Sequence, residues 1–352
     1  MIPNRVAIIG ADFPVYELYC PNFTGMQAGL KAMGIEHKLF GCRPTLDVQA
    51  VIDYSPDFVI YGLLDMIKNH SWRKMIREAL PNAKIVMWYG DLRNNETGQI
   101  SANVSELDMM FVSNDAQDSY YENKWKVPKC HFLPLGCQIY DREYEEKFDF
   151  DFVFIGGVIT GAGFLDRARQ MWKYRENGLK ILDGDARHPN HRAKVMKSMP
   201  TIYRSSKVTL DQSHFTDIKG YTSNRFWIVT ASGGFALTKR FPDCEKFYPP
   251  GTRAYFDTFS EAIRLMKYYL DHPAEREKIR KAGHQHAKNH TYEKRFEIMF
   301  EKVYAPTETK IDNARLGRVH KGVSPRTPLY EDPKIGTQEA QGKEGKISPE
   351  KG

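Results

Sequence analysis

The sequence predicts an α/β protein of two domains, each with a parallel sheet covered by helices. Apolar runs of strand length alternate with helical stretches as far as residue 304, and this alternation is typical of parallel sheets. A polar, tyrosine-rich stretch at 136–150 interrupts the pattern as an interdomain linker does. The predicted parts are a first domain at 1–140, a second at 141–304 and a tail at 305–352, and the length of 352 residues suits them.

In the first domain, strands are predicted where short apolar runs end at glycine or at a polar residue. The first strand, 6–10, leads into a loop at 11–14 and a helix that Gly34 ends. The further strands are 35–40, 58–62, 84–91, 107–113 and 130–135, with helices at 71–80 and 115–123. No G-x-G-x-x-G follows the first strand, which argues against a dinucleotide-binding domain.

The second domain is predicted to open with a strand at 151–157 that ends in Gly156 and Gly157. A helix at 164–175, a strand at 180–184, a basic helical stretch at 190–199 and a strand at 206–211 follow. In the last helix, Phe296, Met299, Phe300 and Val303 are spaced to bury one face. Residues 305–352 lack such periodicity and are rich in polar residues, so we expect them to be disordered.

Residues 218–238 are the most informative stretch. Lys219 and Tyr221 flank a glycine turn, Ser223 and Asn224 can cap a helix, and Gly233-Gly234 ends it before a strand at 235–238. A glycine turn entering a helix offers free N–H groups and the positive end of the dipole to phosphate oxygens. Arg225 could add a paired contact there. An ordinary turn-helix-strand unit is the alternative.

Composition bounds the function. The net charge of +7 permits an anionic partner, and solubility alone also explains it. The cysteines are odd in number and lack a C-x-x-C pair, which argues against a disulfide framework and a zinc cluster. With no secretory core at the start and no apolar run of transmembrane length, we expect a cytoplasmic protein.

Histidines and basic residues gather in two places without a defined motif. The spacing of the histidines is unlike that of common zinc sites, and solvated helix faces explain them better; they are His188, His191, His284, His286 and His290. The basic segment 187–204 is predicted to be a solvated helix face, with acceptor or nucleic-acid binding as the less favoured alternative.

Three further motifs occur in order after this stretch: Phe-Tyr-Pro-Pro-Gly at 247–251, Tyr-Leu-Asp-His-Pro-Ala-Glu-Arg at 269–276, and His-Thr-Tyr at 290–292 with Arg295. Together with 218–238 they resemble the spore-maturation-type glycosyltransferases, most clearly over 215–300 and more weakly over 84–160. The resemblance implies the glycosyltransferase B (GT-B) fold, in which two Rossmann-like domains face each other across a cleft. It also implies that the last helix, 292–304, crosses back onto the first domain.

The function implied by the resemblance is transfer of a sugar from a nucleotide-sugar, here expected to be a UDP-sugar, without a metal or another cofactor. The expected donor-binding residues are Gly156, Gly157, Lys219, Tyr221, Ser223, Asn224, Arg225, Gly233, Gly234 and Lys239. Asp91 and Asp12 fall at strand ends of the first domain and are the candidate catalytic residues, with turn or capping roles as the alternative. Asp65 and His70 occupy similar positions.

One position departs from the family pattern. Relatives commonly carry a ribose-binding glutamate five positions before the glycine that matches Gly233, where this chain has Ile228, and a second acidic position falls on Gly220. The acceptor expected from the resemblance is a glycan, a lipid-linked sugar, a protein or a small molecule. Two alternatives stay open: a DNA glycosyltransferase of the kind phages use on modified bases, and a non-catalytic nucleotide-sugar-binding protein.

Overall fold

The computed structural model describes residues 1–11, 21–42, 45–62, 70–90, 106–115, 129–141, 148–156, 165–182 and 189–305, together with Glu122 and Val127. Its first sheet has six parallel strands in the order β2-β1-β3-β4-β5-β6. They are β1 (Arg5–Ala11), β2 (Glu36–Gly41), β3 (Phe58–Gly62), β4 (Lys84–Tyr89), β5 (Met109–Val112) and β6 (Cys130–Phe132).

The second sheet has five parallel strands in the order β11-β10-β9-β7-β8. They are β7 (Phe152–Ile155), β8 (Lys180–Leu182), β9 (Val208–Asp211), β10 (Ala236–Lys239) and β11 (Ala254–Phe256). The strand order reverses between β7 and β9, and a crevice at such a switch point is where parallel sheets bind ligands.

Helices connect these strands. In the first half they are α1 (Pro21–Ala32), α2 (Val48–Tyr54) and α3 (His70–Ala79). In the second half they are α4 (Leu165–Glu176), α5 (Pro189–Ser205), α6 (Asn224–Ala231), α7 (Cys244–Phe247), α8 (Phe259–Asp271), α9 (Pro273–Ala287) and α10 (Tyr292–Tyr304), with a 3-10 turn at Lys288–His290. The α/β fold with two parallel sheets is therefore confirmed, and no helix in the described ranges is long and apolar enough to cross a membrane.

The strands form because their apolar runs are buried on both faces. Every residue of β3, β5, β7 and β9 is buried, as expected for parallel strands covered by helices. The strand ends differ from the prediction by at most three residues: β4 ends at Tyr89 and β5 begins at Met109. Helix α2 was not predicted; it begins where the Asp47 side chain accepts from the Ala50 N–H group at 3.0 Å.

Helix α10 lies against the first half of the chain. Tyr292 donates through its hydroxyl to Asn22 Oδ1 at 2.9 Å, and Phe300 meets Phe58 edge-to-face with ring centroids 5.1 Å apart. Arg295 is 5% exposed, and its Nε donates to the carbonyl of Pro134 at 2.9 Å. The last helix of the second half thus completes the core beside β3 and β4.

The predicted linker is partly anchored. At its start, the Cys137 N–H group donates to the His290 carbonyl at 3.0 Å, and the Tyr140 N–H group donates to the Ala231 carbonyl at 3.1 Å. Residues 142–147 and the predicted tail from residue 306 lie outside the described residues, as does the predicted helix at 115–123 except for its first residue and Glu122. The domain boundaries stay a prediction.

Candidate functional site

The carboxyl edge of the second sheet gathers several of the predicted site residues. At the switch point, β7 ends at Ile155 beside Gly156 and β9 ends at Asp211. Helix α6 also begins near this edge, because its N-cap residue, Ser223, donates its N–H group to Ser213 Oγ at 3.1 Å. The first N–H groups of a helix have no partner within the helix, and they carry the positive end of its dipole.

Arg225 spans the switch point. Its Nη1 donates to the Ile155 carbonyl at 2.7 Å, its Nη2 donates to the Gln212 carbonyl at 2.8 Å, and its Nε donates to Asp211 Oδ1 at 3.2 Å. Its guanidinium lies 4.1 Å from the centroid of the Phe154 ring, and the residue is only 6% exposed. Arg225 therefore joins β7, β9 and α6 from within the domain.

A side chain at Gly156 would force this guanidinium to move. A Cβ atom at Gly156 would lie 2.7 Å from Arg225 Nη1 and 3.3 Å from the Phe154 ring. Gly156 and Arg225, both expected to bind the donor, are thus in direct contact in the structure, and donor binding by them stays a prediction. Gly157 lies outside the described residues.

A second buried arginine completes the cluster, and the sequence did not point to it. Arg253 donates from Nη1 to Asp211 Oδ2 at 2.9 Å and to Thr238 Oγ1 at 2.9 Å, and from Nη2 to the Phe226 carbonyl. Asp211 is 1% exposed and Arg253 is 2% exposed. One carboxylate shared by two guanidiniums leaves a net positive charge beneath the start of α6.

The remaining residues predicted near the start of α6 lie around this cluster. Tyr221 is buried against Phe215, with ring centroids 5.4 Å apart. Lys219 forms an ion pair with Asp115 of the first half at 2.6 Å. Asn224 is the first residue of α6, and Lys239, the last residue of β10, donates to the Asp257 carbonyl.

Gly233 and Gly234 do not belong to this cluster. They follow the carboxyl end of α6 and precede β10, so they lie at the opposite edge of the parallel sheet from Arg225. Gly233 has a φ of +74°, and a Cβ atom at Gly234 would lie 2.7 Å from the Tyr203 carbonyl oxygen. Helix termination and close packing account for both glycines.

The two positions that depart from the family pattern have structural roles. Ile228 is 4% exposed and packs among Val153, Ile155 and Tyr203, so its position belongs to the apolar core. Gly220 has a φ of +71°, and a Cβ atom there would lie 3.1 Å from the Asp115 nitrogen. Gly220 thereby allows the chain before α6 to approach the first half closely.

The polar residues directly after β5 approach the chain that enters α6, and no site role was predicted for them from the sequence. The Asp115 N–H group donates to the Lys219 carbonyl at 3.1 Å. Asn114 and Ser113 are 0% exposed, and Asn114 Nδ2, Asn114 Oδ1 and Ser113 Oγ have no hydrogen-bond partner in the described part of the chain. The available signal was a polar Ser-Asn-Asp run directly after a buried strand. Asp12, Asp91 and Asp65 lie outside the described residues, as does the side chain of His70.

Three of the histidines bind backbone carbonyls. His284 Nδ1 is 3.0 Å from the Thr230 carbonyl, and the Nε2 atoms of His286 and His290 lie 2.9 and 2.8 Å from the Phe247 carbonyl. Burial, together with the nearby Arg295 charge, lowers the pKa of His290 to about 4. Over the described residues, no three His, Cys, Asp or Glu side chains come together as a metal-binding group.

Comparisons with known proteins bear on the fold of the chain. Residues 143–301 match the family described as glycosyl transferase-like, whereas a sequence search of curated proteins finds no match. An α-glucosyltransferase solved with UDP and a 13-mer DNA containing an HMU base is similar in structure, with a TM-score of 0.63 at 12% identity over 86% of this chain and 100% of that one.

Two more solved structures share the architecture. HepE of Anabaena, solved with UDP and glucose, gives a TM-score of 0.53 at 9% identity, covering 85% of this chain and 99% of that one. Sucrose-phosphate synthase from Thermosynechococcus elongatus gives a TM-score of 0.50 at 10% identity over 86% of this chain and 98% of that one. At these identities the likeness shows the fold, which is the GT-B fold.

Proposed function

We infer from the glycosyl transferase-like match over residues 143–301, and from the GT-B fold, that the protein is a glycosyltransferase that uses a nucleotide-sugar. We propose that the donor is a UDP-sugar and that its diphosphate lies at the start of α6. The acceptor is proposed to be a glycan, a lipid, a protein or a small molecule.

The observation that carries the proposal is the buried Asp211–Arg225–Arg253 cluster at the switch point. Its net positive charge and the dipole of α6 act on the same edge of the sheet. A diphosphate gains negative charge as the sugar leaves it, and a fixed positive field stabilises that change without reorganising. We propose that this field takes the part that a metal plays elsewhere.

We propose that Arg225 acts mainly by holding the surrounding strands and helix in place, rather than by binding the donor directly. Three of its N–H groups already bind Ile155, Gln212 and Asp211, so it holds the ends of β7 and β9 in register with α6. Arg225→Ala should weaken UDP binding by more than about tenfold, because the carboxyl edge of the second sheet loses a positive charge and the contacts that hold β7, β9 and α6 together. Arg225→Lys should rescue only part of this, since an ammonium cannot make the contacts of a planar fork.

Calorimetry with UDP and with UDP-glucose tests the proposal. The matched control is Lys246→Ala, which removes an exposed cation from α7 of the same half. Because Arg225 is buried, its removal should also lower the free energy of unfolding, by about 2–4 kcal/mol, so each variant is titrated below its melting temperature. A wild-type protein that binds no uridine nucleotide would contradict the proposed function. Equal UDP affinities of the wild type and Arg225→Ala would contradict the role of Arg225.

Unchanged UDP-glucose hydrolysis in EDTA would support metal independence.

A DNA acceptor is the second candidate. The α-glucosyltransferase with a TM-score of 0.63 was solved with DNA, and this chain has a net charge of +7. If duplex DNA is the acceptor substrate, its binding should weaken steeply with salt, because bound cations are released from the phosphates. Fluorescence anisotropy with hydroxymethylated duplexes at 50 and 200 mM salt measures this, and salt-independent or absent binding removes DNA from the candidates.

A non-catalytic nucleotide-sugar-binding protein is the third, and Ile228 favours it. With Ile228 in the apolar core, the donor ribose lacks the glutamate that relatives use there. Binding of UDP-glucose with neither hydrolysis nor transfer to any acceptor would support this alternative over the enzyme.

A further inference from the structure

We propose that Asn114 binds the transferred sugar, so that the first half of the chain contacts the donor. The inference rests on the proposed function. It concerns the carboxyl end of β5, to which the sequence reasoning assigned no site residue.

The position of Asn114 is fixed on both sides. Before it, the Ser113 N–H group donates to the Tyr89 carbonyl at 3.1 Å and extends the β4–β5 pairing. After it, the Asp115 N–H group donates to the Lys219 carbonyl at 3.1 Å. Asn114 therefore lies between the edge of the first sheet and the chain that enters α6.

The side-chain amide of Asn114 has hydrogen-bonding capacity that the described part of the chain does not use. The amide of Asn114 is fully buried, and neither its Nδ2 nor its Oδ1 has a hydrogen-bond partner in the described part of the chain. Ser113 Oγ beside it is in the same state. Burying such groups unpaired is costly and rare in folded proteins, and each case calls for an explanation such as a functional role.

The sugar is the part of the donor that fits this position. Lys219 is four residues before Ser223, the N-cap of α6, where the diphosphate is proposed to lie. The group attached beyond the diphosphate is the sugar. An amide offers two donors and one acceptor, which matches hydroxyl groups that both donate and accept.

The experiment compares UDP with a UDP-sugar in Asn114→Leu. The probe is whichever of UDP-glucose, UDP-galactose and UDP-N-acetylglucosamine the wild-type protein binds most tightly. Leucine keeps much of the shape of asparagine and removes both polar atoms. UDP affinity should stay within about twofold, whereas affinity for the UDP-sugar should fall about tenfold, as expected for two lost hydrogen bonds. The melting temperature should stay the same or rise, because an unpaired buried amide has been removed.

Thr209→Val is the matched control. Thr209 Oγ1 is also buried without a hydrogen-bond partner among the described residues, but Thr209 lies within β9 rather than beyond a strand end. This variant should leave both affinities unchanged. If Asn114→Leu does not fold, Asn114→Ala is titrated instead.

The outcomes separate the inference from the proposed function. A ratio of UDP-sugar to UDP affinity that is the same in the Asn114 variant and the wild type overturns the inference and leaves the proposed function standing. A wild-type protein that binds neither UDP nor a UDP-sugar overturns the proposed function itself. A reduced ratio for Asn114→Leu and an unchanged one for Thr209→Val support the inference.

Discussion

At the scale of single residues, His290 is held in one neutral form by its two neighbours. Its Nε2 is 2.8 Å from the Phe247 carbonyl and must donate to it, while its Nδ1 is 3.1 Å from Arg295 Nη2 and must accept. A second proton on the ring would remove the acceptor and bring two cations together. Burial and the Arg295 charge accordingly lower the pKa of His290 to about 4.

The protein should therefore lose stability in mild acid. The unfolded imidazole has a pKa of about 6.5 and binds a proton before the folded one does, so the contribution of His290 is complete above that pH. It should fall by on the order of 2–3 kcal/mol as the pH drops towards 4. Urea denaturation between pH 7 and 4.5 should give a flatter profile for His290→Gln than for the wild type. His272→Gln, at an exposed histidine, should keep the wild-type slope; parallel profiles for all three would contradict the assignment.

The buried charges show what residue-level reasoning from a sequence can and cannot predict. Arg225 was predicted to bind the donor because it stands at a helix start after a glycine turn. The structure places it against Gly156, and donor binding stays a prediction. Its buried partners were not predicted, because Asp211 and Arg253 reach the same place only through the strand order β11-β10-β9-β7. Asn114 was missed for the same reason, since its significance depends on the hydrogen bond between the neighbouring Asp115 and Lys219, which only the fold creates.

At the scale of elements, α1 and α10 pack closely because α1 carries glycines on the facing side. A Cβ atom at Gly29 would lie 2.9 Å from the Glu293 nitrogen, and one at Gly25 would lie 2.3 Å from the Tyr292 ring. Alanine normally favours a helix over glycine by about 1 kcal/mol. At this contact the backbone of α10 cannot move away without disturbing the core around Phe296 and Phe300.

Gly29→Ala should hence destabilise the protein despite its better helix propensity. We expect a loss of about 1–3 kcal/mol, the usual cost of overpacking. Lys31→Ala, two residues on at an exposed position of the same helix, should change the free energy of unfolding by less than about 0.5 kcal/mol. A more stable Gly29→Ala variant would mean that the two helices are not in the contact described.

The elements themselves were largely predictable from periodicity. The predicted strand at 58–62 is β3 without change, and the predicted helix at 164–175 differs from α4 by one residue at each end. Helix α2 was missed because it is one of the shortest and has only Val48 and Val51 buried. Gly233-Gly234 was correctly predicted to end α6, but sequence position alone could not show that this end faces away from the site.

At the scale of the whole molecule, the predicted tail provides a simple test. Its residues are almost devoid of apolar periodicity, so removing them should expose little apolar surface on the rest of the protein. Truncation after Tyr304 should leave the melting temperature within about 2 °C of that of the full chain, as measured by calorimetry. A drop of several degrees would show that the tail packs on the rest of the protein.

Besides the packing of α10, the two halves of residues 1–305 meet at the chain before α6. Asp115 bonds Lys219 through its backbone N–H group at 3.1 Å and through its carboxylate at 2.6 Å. Gly220 follows with a left-handed φ of +71°, and a Cβ atom there would lie 3.0 Å from Asp115 Cβ and 3.1 Å from the Phe132 ring. Backbone approach, rather than the half-exposed ion pair, should therefore govern this contact.

Two substitutions at adjacent positions distinguish these contributions. Lys219→Ala removes a half-exposed ion pair, which should cost under about 1 kcal/mol and lose its effect in high salt. Gly220→Ala should cost more, about 1–2 kcal/mol for the left-handed backbone alone and further for the contact with Asp115. The Lys219 carbonyl on the same turn accepts from the Asp115 N–H group and so helps to position Asn114. Gly220→Ala should therefore also weaken UDP-sugar binding, whereas Lys219→Ala leaves that carbonyl in place. Urea denaturation at low and high salt, together with calorimetry, measures both effects. A larger loss for Lys219→Ala than for Gly220→Ala would show that charge, and not close backbone approach, joins the two halves.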